Sequence, residues 1–184
     1  MRLFTGISLP QDLIDDLTRL LDKLRPEAHL KWSAPYNLHI TTKFIGEWPE
    51  ERKEELVSAL RMLSRRSPID IAIEGAGWLP NPKHPRILFA GLKSGPELKQ
   101  LADDTDSALA GLGIERETRP FRPHLTLARI NDSAVPLDPL RNAIRDLESR
   151  EFGRFTASNF HLYLSKPGPA GSIYTQLAEF PFSK

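Results

Sequence analysis

The sequence predicts an α+β protein of two similar sheet-and-helix lobes, related by a pseudo-two-fold axis around a central groove. Three observations predict it. Strand-like and helix-like stretches alternate between frequent prolines and glycines. The second half of the chain repeats the first at a constant offset of 85 residues. Each copy contains a strand of the pattern His-x-Thr-x.

Residues 2–9, RLFTGISL, read as a strand. Residues 11–25 place Leu13, Ile14, Leu17, Leu20, Leu21 and Leu24 on one helical face. Residues 37–45, NLHITTKFI, read as a strand. Pro49 with Glu50 and Glu51 opens a second helix, whose buried stripe is Leu56, Val57, Leu60 and Leu63. Residues 69–74, IDIAIE, alternate as a strand. In the second half, residues 86–92 read as a strand and 96–110 as a helix stopped by Gly111 and Gly113. Residues 122–130 read as a strand, with Pro123 at its start or on an edge. Asp138 reads as an N-cap with Pro139 in the first helical position, followed by Leu140, Ile144 and Leu147 on one face. Strands near 158–165 and 173–180 end the chain.

Adding 85 maps Leu3 onto Leu88, Phe4 onto Phe89, Gly6 onto Gly91, Leu24 onto Leu109, Pro35 onto Pro120, His39 onto His124, Thr41 onto Thr126 and Ile45 onto Ile130. The repeat runs over roughly 2–45 and 87–130, and the whole chain, 1–184, reads as one bilobal domain. Apolar matches follow from any two strand–helix–strand units. A strand register requires neither a histidine nor a threonine, so the polar matches call for a chemical reason. Each lobe is expected to cover one sheet face with helices and turn the other to a shared groove, a natural ligand site.

Composition narrows the chemistry. Lys plus Arg is 25 against 24 for Asp plus Glu, a formal net charge of +1, which excludes a basic coat for long nucleic acid but not a local basic site. Cysteine is absent, so disulfides, thiolate metal sites and a cysteine nucleophile are excluded. The N-terminal apolar run is broken by Thr5, Gly6 and Ser8, unlike a secretory signal, and no apolar stretch reaches the roughly 18 residues of a membrane span. A cytoplasmic monomer, with no membrane association, is the default expectation.

Side chains alternate across a strand. His39 and Thr41 therefore share one face of HITT (39–42), with Leu38, Ile40, Thr42 and Phe44 on the other, and His124 and Thr126 share one face of HLTL (124–127). The apolar set belongs under the helices, which leaves both histidines facing the groove. Imidazole titrates at about pH 6.5, so a facing pair can hold one neutral and one protonated ring. Acid–base assistance of this kind contributes roughly 10²–10⁴ per group, and the threonine hydroxyls can donate to a phosphoryl oxygen as charge builds on it. The same parity makes Lys43 and Arg122 candidate phosphate contacts and ranks Arg129, on the opposite parity, below them. Metal ligation is not expected, since neither histidine has a partner at ligand spacing, and no cofactor is implied. His29, His84 and His161 read as surface or packing residues, and Trp32 and Trp78 as half-buried structural residues rather than base-stacking ones.

The paired motifs, with the phrases KWSAPYNLHITTKFIGE, FRPHLTLAR and RILFAGL, resemble the 2H phosphoesterase superfamily, and within it the bacterial and archaeal RNA 2′,3′-cyclic phosphodiesterases, also called 2′-5′ RNA ligases. The similarity extends from RLFTGISLP to YTQLAEFPF. The resemblance implies metal-independent hydrolysis of a terminal 2′,3′-cyclic phosphate on RNA to a 2′-phosphomonoester. It implies His39 as proton donor and His124 as proton acceptor, an order the residues themselves do not set. It also implies ATP-independent ligation through a 2′-5′ linkage. The fourth motif position, often Leu in that family, is Thr42 here; by parity it points away from the groove, so the departure concerns packing. Two other readings share the groove: a binding module that holds cyclic-phosphate or 2′-phosphate RNA ends without turnover, and an enzyme for a smaller substrate such as ADP-ribose 1″,2″-cyclic phosphate or a 2′-5′ oligonucleotide.

Overall fold

The leucine stripe after Pro10 forms α1 (Gln11–Leu24), with Leu13, Leu17, Leu21 and Leu24 buried at spacings of four, four and three. Residues 1–183 are described by a computed structural model. Lys184, the last residue of the expected domain, lies outside the described residues. Pro96 opens α3 (Pro96–Ala110), which buries Leu98, Leu101, Ala102, Thr105 and Leu109. Thr105 can lie on that face because its hydroxyl donates to the Leu101 carbonyl at 2.7 Å. The remaining helices are α2 (Lys53–Arg61), with Leu56, Val57 and Leu60 buried, and α4 (Asp138–Ile144), with Leu140 and Ile144 buried. The cap of α4 departs from expectation: Leu137 occupies the N-cap position, Asp138 is already helical, and no side-chain cap bond forms.

The strands are β1 (Arg2–Ser8), β2 (Lys31–Trp32), β3 (His39–Glu47), β4 (Ile69–Leu79), β5 (Ile87–Ser94), β6 (His124–Arg129), β7 (Glu151–Ala157), β8 (Asn159–Gly168) and β9 (Gly171–Pro181). They form one nine-stranded sheet in the order β7-β4-β5-β6-β3-β1-β8-β9, with β2 also paired to β6 and every pairing antiparallel. The mixed α+β class is as the sequence predicts. Strands β2 and β7 were not legible in it, and β4 runs five residues past the expected Glu74. Gly75, at φ +78°, carries β4 through an irregularity where a Cβ would meet the Glu148 carbonyl at 2.6 Å.

The centre of the sheet is the pair Ile40 and Leu125, which the repeat offset relates to each other. To either side stand the first strands of the two repeats, β1 beside β3 and β5 beside β6. The lobes interlock: α1 packs against β7 and α3 against β3, so each helix lies beneath strands of the other half. A Cβ on Gly153 of β7 would meet Leu13 Cδ1 at 2.6 Å. Ile40, Leu125, Leu17, Leu98 and Ile71 share one apolar cluster, each fully buried side chain contributing about 1.5–3 kcal/mol.

Strict alternation fails at two equivalent places. Thr5 pairs with Lys43 and Gly6 with Thr41, so Thr42 is the extra residue of a β-bulge. Leu88 pairs with Ala128 and Phe89 with Thr126, so Leu127 is the extra residue of a second bulge. Each bulge sends two consecutive side chains to the helix side and inverts the parity beyond it. Thr42 and Lys43 are both buried, as are Leu127 and Ala128, while Phe44 and Arg129 emerge on the opposite face. Three expectations are thereby corrected. Lys43 does not continue the His39–Thr41 face; its ammonium bonds Asp106 Oδ1 at 2.7 Å and the Glu115 carbonyl at 2.9 Å beneath the sheet. Phe44 does not join the buried apolar set. Arg129 lies on the histidine face.

Candidate active site

Ile40 and Leu125 are both fully buried. Their pairing fixes the geometry of the residues flanking them. Continuing the antiparallel register sets His39 beside Thr126 and Thr41 beside His124, all four half-buried on the face opposite the core. His39 and His124 are then diagonal neighbours, a relation that separates side-chain origins by about 7–8 Å. That gap accommodates a group held between two rings.

Both imidazoles are oriented in the same way. His39 Nδ1 is 2.6 Å from the Asn37 carbonyl, and His124 Nδ1 is 2.8 Å from the Arg122 carbonyl. Asn37 and Arg122 are themselves related by the repeat. A carbonyl only accepts, so Nδ1 carries the hydrogen in each ring and Nε2 is the nitrogen available for chemistry. Each ring also lies against a repeat-related phenylalanine, His39 with its centroid 4.8 Å from that of Phe4 and His124 6.0 Å from Phe89.

The halves then diverge. Thr41 Oγ1 is 2.9 Å from His39 Nε2. The hydroxyl donates there while the ring is neutral. Around His39 lie Tyr174, edge-on at 5.1 Å, and Tyr163 at 5.9 Å, the latter stacked on Phe4 at 4.9 Å. Burial lowers the His39 pKa below its ordinary 6.5; the Asn37 carbonyl works against that, and the charges of Arg129 and His124 lower it further. His39 thus feels both His124 and Arg129 across the groove. Burial also pushes the Tyr163 phenol upward, keeping it a neutral partner of Gln176 Nε2 at 3.3 Å.

The other predicted residues are placed as follows. Thr126 lies on the groove face, its carbonyl accepting from Ser33 Oγ at 2.8 Å. Arg122 is exposed at the entrance to β6, and its guanidinium has no ion-pair partner among the described residues. Lys43 is a structural ion pair. Burial opposes the Asp106 carboxylate, but bonds from Lys43, the Glu117 amide and Arg116 outweigh it and hold that pKa below the ordinary carboxylate value. His29 and His84 are exposed, while His161 is buried on β8 as a packing residue. Trp32 and Trp78 are half-buried, Trp32 donating to the Ala28 carbonyl at 3.1 Å and Trp78 lying under Arg141.

Sequence reasoning ranked Arg129 below Lys43 and Arg122, put Phe44 on the buried face, and missed Tyr163 and Tyr174. Arg129 closes the string HLTLAR and had only the bulge to betray its face; Phe44, at 63% exposure 6.3 Å from Phe4, depends on the same device. The tyrosines come from β8 and β9, outside the repeat.

A sequence profile of LigT-like phosphoesterases matches residues 7–89 and again residues 92–174. The two stretches start 85 residues apart, the offset of the internal repeat. The chain is 32% identical over 182 residues to a Methanothermobacter thermautotrophicus protein named RNA 2′,3′-cyclic phosphodiesterase, covering 98% of each. It is 32% identical over 180 residues to an Archaeoglobus fulgidus protein of the same name, covering 98% of this chain and 99% of the other. Among solved structures, TT0787 of Thermus thermophilus superposes with a TM-score of 0.83 at 30% identity, covering 99% of this chain and 98% of that one. E. coli LigT complexed with 3′-AMP superposes with a TM-score of 0.81 at 27% identity, covering 100% and 98%. Two histidine strands meeting at the centre of one sheet, a profile matched in both halves and relatives aligned end to end converge on one conclusion: the chain belongs to the LigT-like phosphoesterase family.

Proposed function

We propose that this chain is an RNA 2′,3′-cyclic phosphodiesterase whose catalytic groups are His39 and His124. The observation that carries the reading is the matched tautomer lock: each ring gives its Nδ1 hydrogen to the carbonyl two residues earlier and presents Nε2 to the same groove. The names of the full-length relatives support the substrate class. The pair is complete only when both repeats are present, so the whole chain acts as one catalytic unit.

The cyclic phosphate lies between the rings. His124 Nε2 takes a proton from water, whose oxygen attacks phosphorus in line with the P–O3′ bond. That bond breaks, O3′ receives the proton from His39 Nε2, and the product is a 2′-phosphomonoester. The donor and acceptor order follows the family resemblance. His39 must be protonated for its step, and the bound anion favours that state, opposing Arg129 and His124. Once Nε2 is protonated, the Thr41 hydroxyl is released to a non-bridging phosphate oxygen, matched by Thr126 from the other strand. Arg129 supplies a guanidinium fork for the charge that builds on those oxygens, and exposed Arg122 attracts the anion to the groove. Phe44, exposed beside Phe4, is a platform for the nucleobase. A 5′-hydroxyl in place of water gives a 2′-5′ linkage by the same displacement. The scheme draws on no metal; among the described residues no three His, Asp or Glu side chains converge as metal ligands.

The test is product analysis on an oligonucleotide ending in a 2′,3′-cyclic phosphate, with and without a strong chelator. Metal-independent appearance of the 2′-phosphate is expected. A 3′-phosphate product contradicts the proposed geometry, binding without turnover assigns a binding module, and loss of activity in chelator assigns a metal enzyme.

A further inference from the structure

We propose that the cavity beside Arg129 is the subsite for the nucleotide that precedes the cyclic end, so that this enzyme prefers RNA chains to isolated cyclic nucleotides. The inference rests on the function proposed above and concerns a part of the surface of which the catalytic scheme uses only the Arg129 guanidinium.

The cavity has a volume of about 280 Å³ and is bordered by Arg129, Lys31, His29, Asn131 and Asp132, near the lower end of the roughly 300–1,000 Å³ typical of small-ligand sites. It lies next to the groove, because Arg129, which lines it, stands on the histidine face of β6 three residues after Thr126. Lys31 pairs directly with Arg129 across the β2–β6 ladder and therefore shares its face. From there Lys31 crosses to the β8–β9 turn, where a Cβ on Gly171 would stand 3.6 Å from its Cε. The turn is pinned from the other side by Asn37 Nδ2, which donates to the Ser172 carbonyl at 2.6 Å. Lys31 has no ion-pair partner among the described residues.

Substrate stereochemistry gives the cavity its direction. With His39 as the acid, O3′ and the ribose lie over β3. On a ribose cyclised through O2′ and O3′, the base leaves from C1′ and the chain leaves through C4′ and C5′, on opposite flanks of the ring. A base directed along β3 toward Phe44 sends the 5′-phosphodiester the other way along the same line. That line is continued by β2, because β2 and β3 pair with the same edge of β6, β5 holding the other. Past Ser33, whose hydroxyl is bonded to the Thr126 carbonyl, β2 carries Lys31, the ladder partner of Arg129. Beyond it, Asn131 offers an amide donor and acceptor, and Asp132 Oδ2 has no partner among the described residues while its Oδ1 accepts the Ala134 amide at 2.8 Å. An ammonium for a phosphodiester, followed by an amide and a carboxylate for the edge of a base, is the complement of one more nucleotide.

The test compares kcat/KM for three substrates: a nucleoside 2′,3′-cyclic phosphate, a dinucleotide ending in the same group, and that dinucleotide with a neutral methylphosphonate linkage. The dinucleotide is expected to exceed the mononucleotide by about tenfold or more, the effect of one charge-assisted hydrogen bond, and the methylphosphonate to lose most of that gain. Lys31→Ala should bring the dinucleotide down to the mononucleotide value and leave the mononucleotide unchanged. Equal wild-type values for mononucleotide and dinucleotide, or a Lys31→Ala loss shared equally by both, overturns the subsite while the catalytic reading stands. No turnover of any of the three overturns both.

Discussion

Phe44 and Arg129 stand 85 residues apart, and each is turned into the groove by a bulge two residues before it. One copy of the repeat therefore places an aromatic ring, and the other a guanidinium, at equivalent distances from the Ile40–Leu125 pair. The duplication supplies matched histidines. The residues just past the bulges make the two ends of the groove chemically different, as an asymmetric substrate requires.

The aromatic end predicts a substrate-dependent effect. Phe44→Ala should raise KM for nucleoside 2′,3′-cyclic phosphates by about 5- to 150-fold, given about 1–3 kcal/mol for one base stacked on an aromatic ring. Phe44→Trp should restore binding, and a cyclic phosphate without a base should be indifferent to either change. Steady-state kinetics with both substrate types checks this; equal losses on the baseless substrate would assign Phe44 a packing role.

The cationic end predicts a titration. Burial already holds His39 below 6.5, with Arg129 and His124 adding to the effect. Removing a positive neighbour makes protonation easier, so Arg129→Gln should raise the His39 pKa, and His124→Ala should raise it too. The Cε1 proton of His39, followed by NMR across the pH range, reports this directly. A value unmoved in both variants would mean that these groups do not share a groove.

Lys43 predicts the reverse of a catalytic role. Its ion pair with Asp106 is nearly dry, at 5% and 13% side-chain exposure. Breaking such a pair from one side strands a charge and costs about 3–5 kcal/mol. Lys43→Met should lower the melting temperature sharply and keep wild-type kcat/KM below its own melting range. Loss of kcat without loss of stability would return Lys43 to the groove.

His161 predicts how stability follows pH. It is 4% exposed, its Nδ1 has no partner among the described residues, and burial lowers its pKa although Glu179 works in the other direction. Unfolded histidine titrates at about 6.5, so below that pH the unfolded chain binds a proton that the folded chain excludes. The contribution is complete above the unfolded value and is lost as pH falls through the window toward the lowered folded value. His39 acts in the same sense. Thermal melts at about pH 7 and about pH 5 should show a smaller drop for His161→Phe than for the wild type; an equal drop would mean that His161 is protonated in the folded protein.

The limits of legibility have one physical origin. Helical stripes such as Leu13, Leu17, Leu21 and Leu24 survive small errors of register, so the helices and the two motif strands were readable. Alternation does not survive a bulge, since one extra residue exchanges the faces of everything beyond it. Residues before the bulges, His39, Thr41, His124 and Thr126, fall on the face that parity assigns; Lys43, Phe44 and Arg129, beyond them, do not. The aromatic wall of Tyr163 and Tyr174 arises from long-range pairing of β8 and β9, which no local pattern announces.

The most direct test of the histidine pair is turnover of a cyclic-phosphate-ended RNA by His39→Ala, His124→Ala and the double variant, each verified as folded. Groups that act as a unit on one phosphorus lose rate together: each single change should lower kcat by at least about 10²-fold, and the double change should cost little more than the worse single one. Near-wild-type turnover in either single variant would contradict the account.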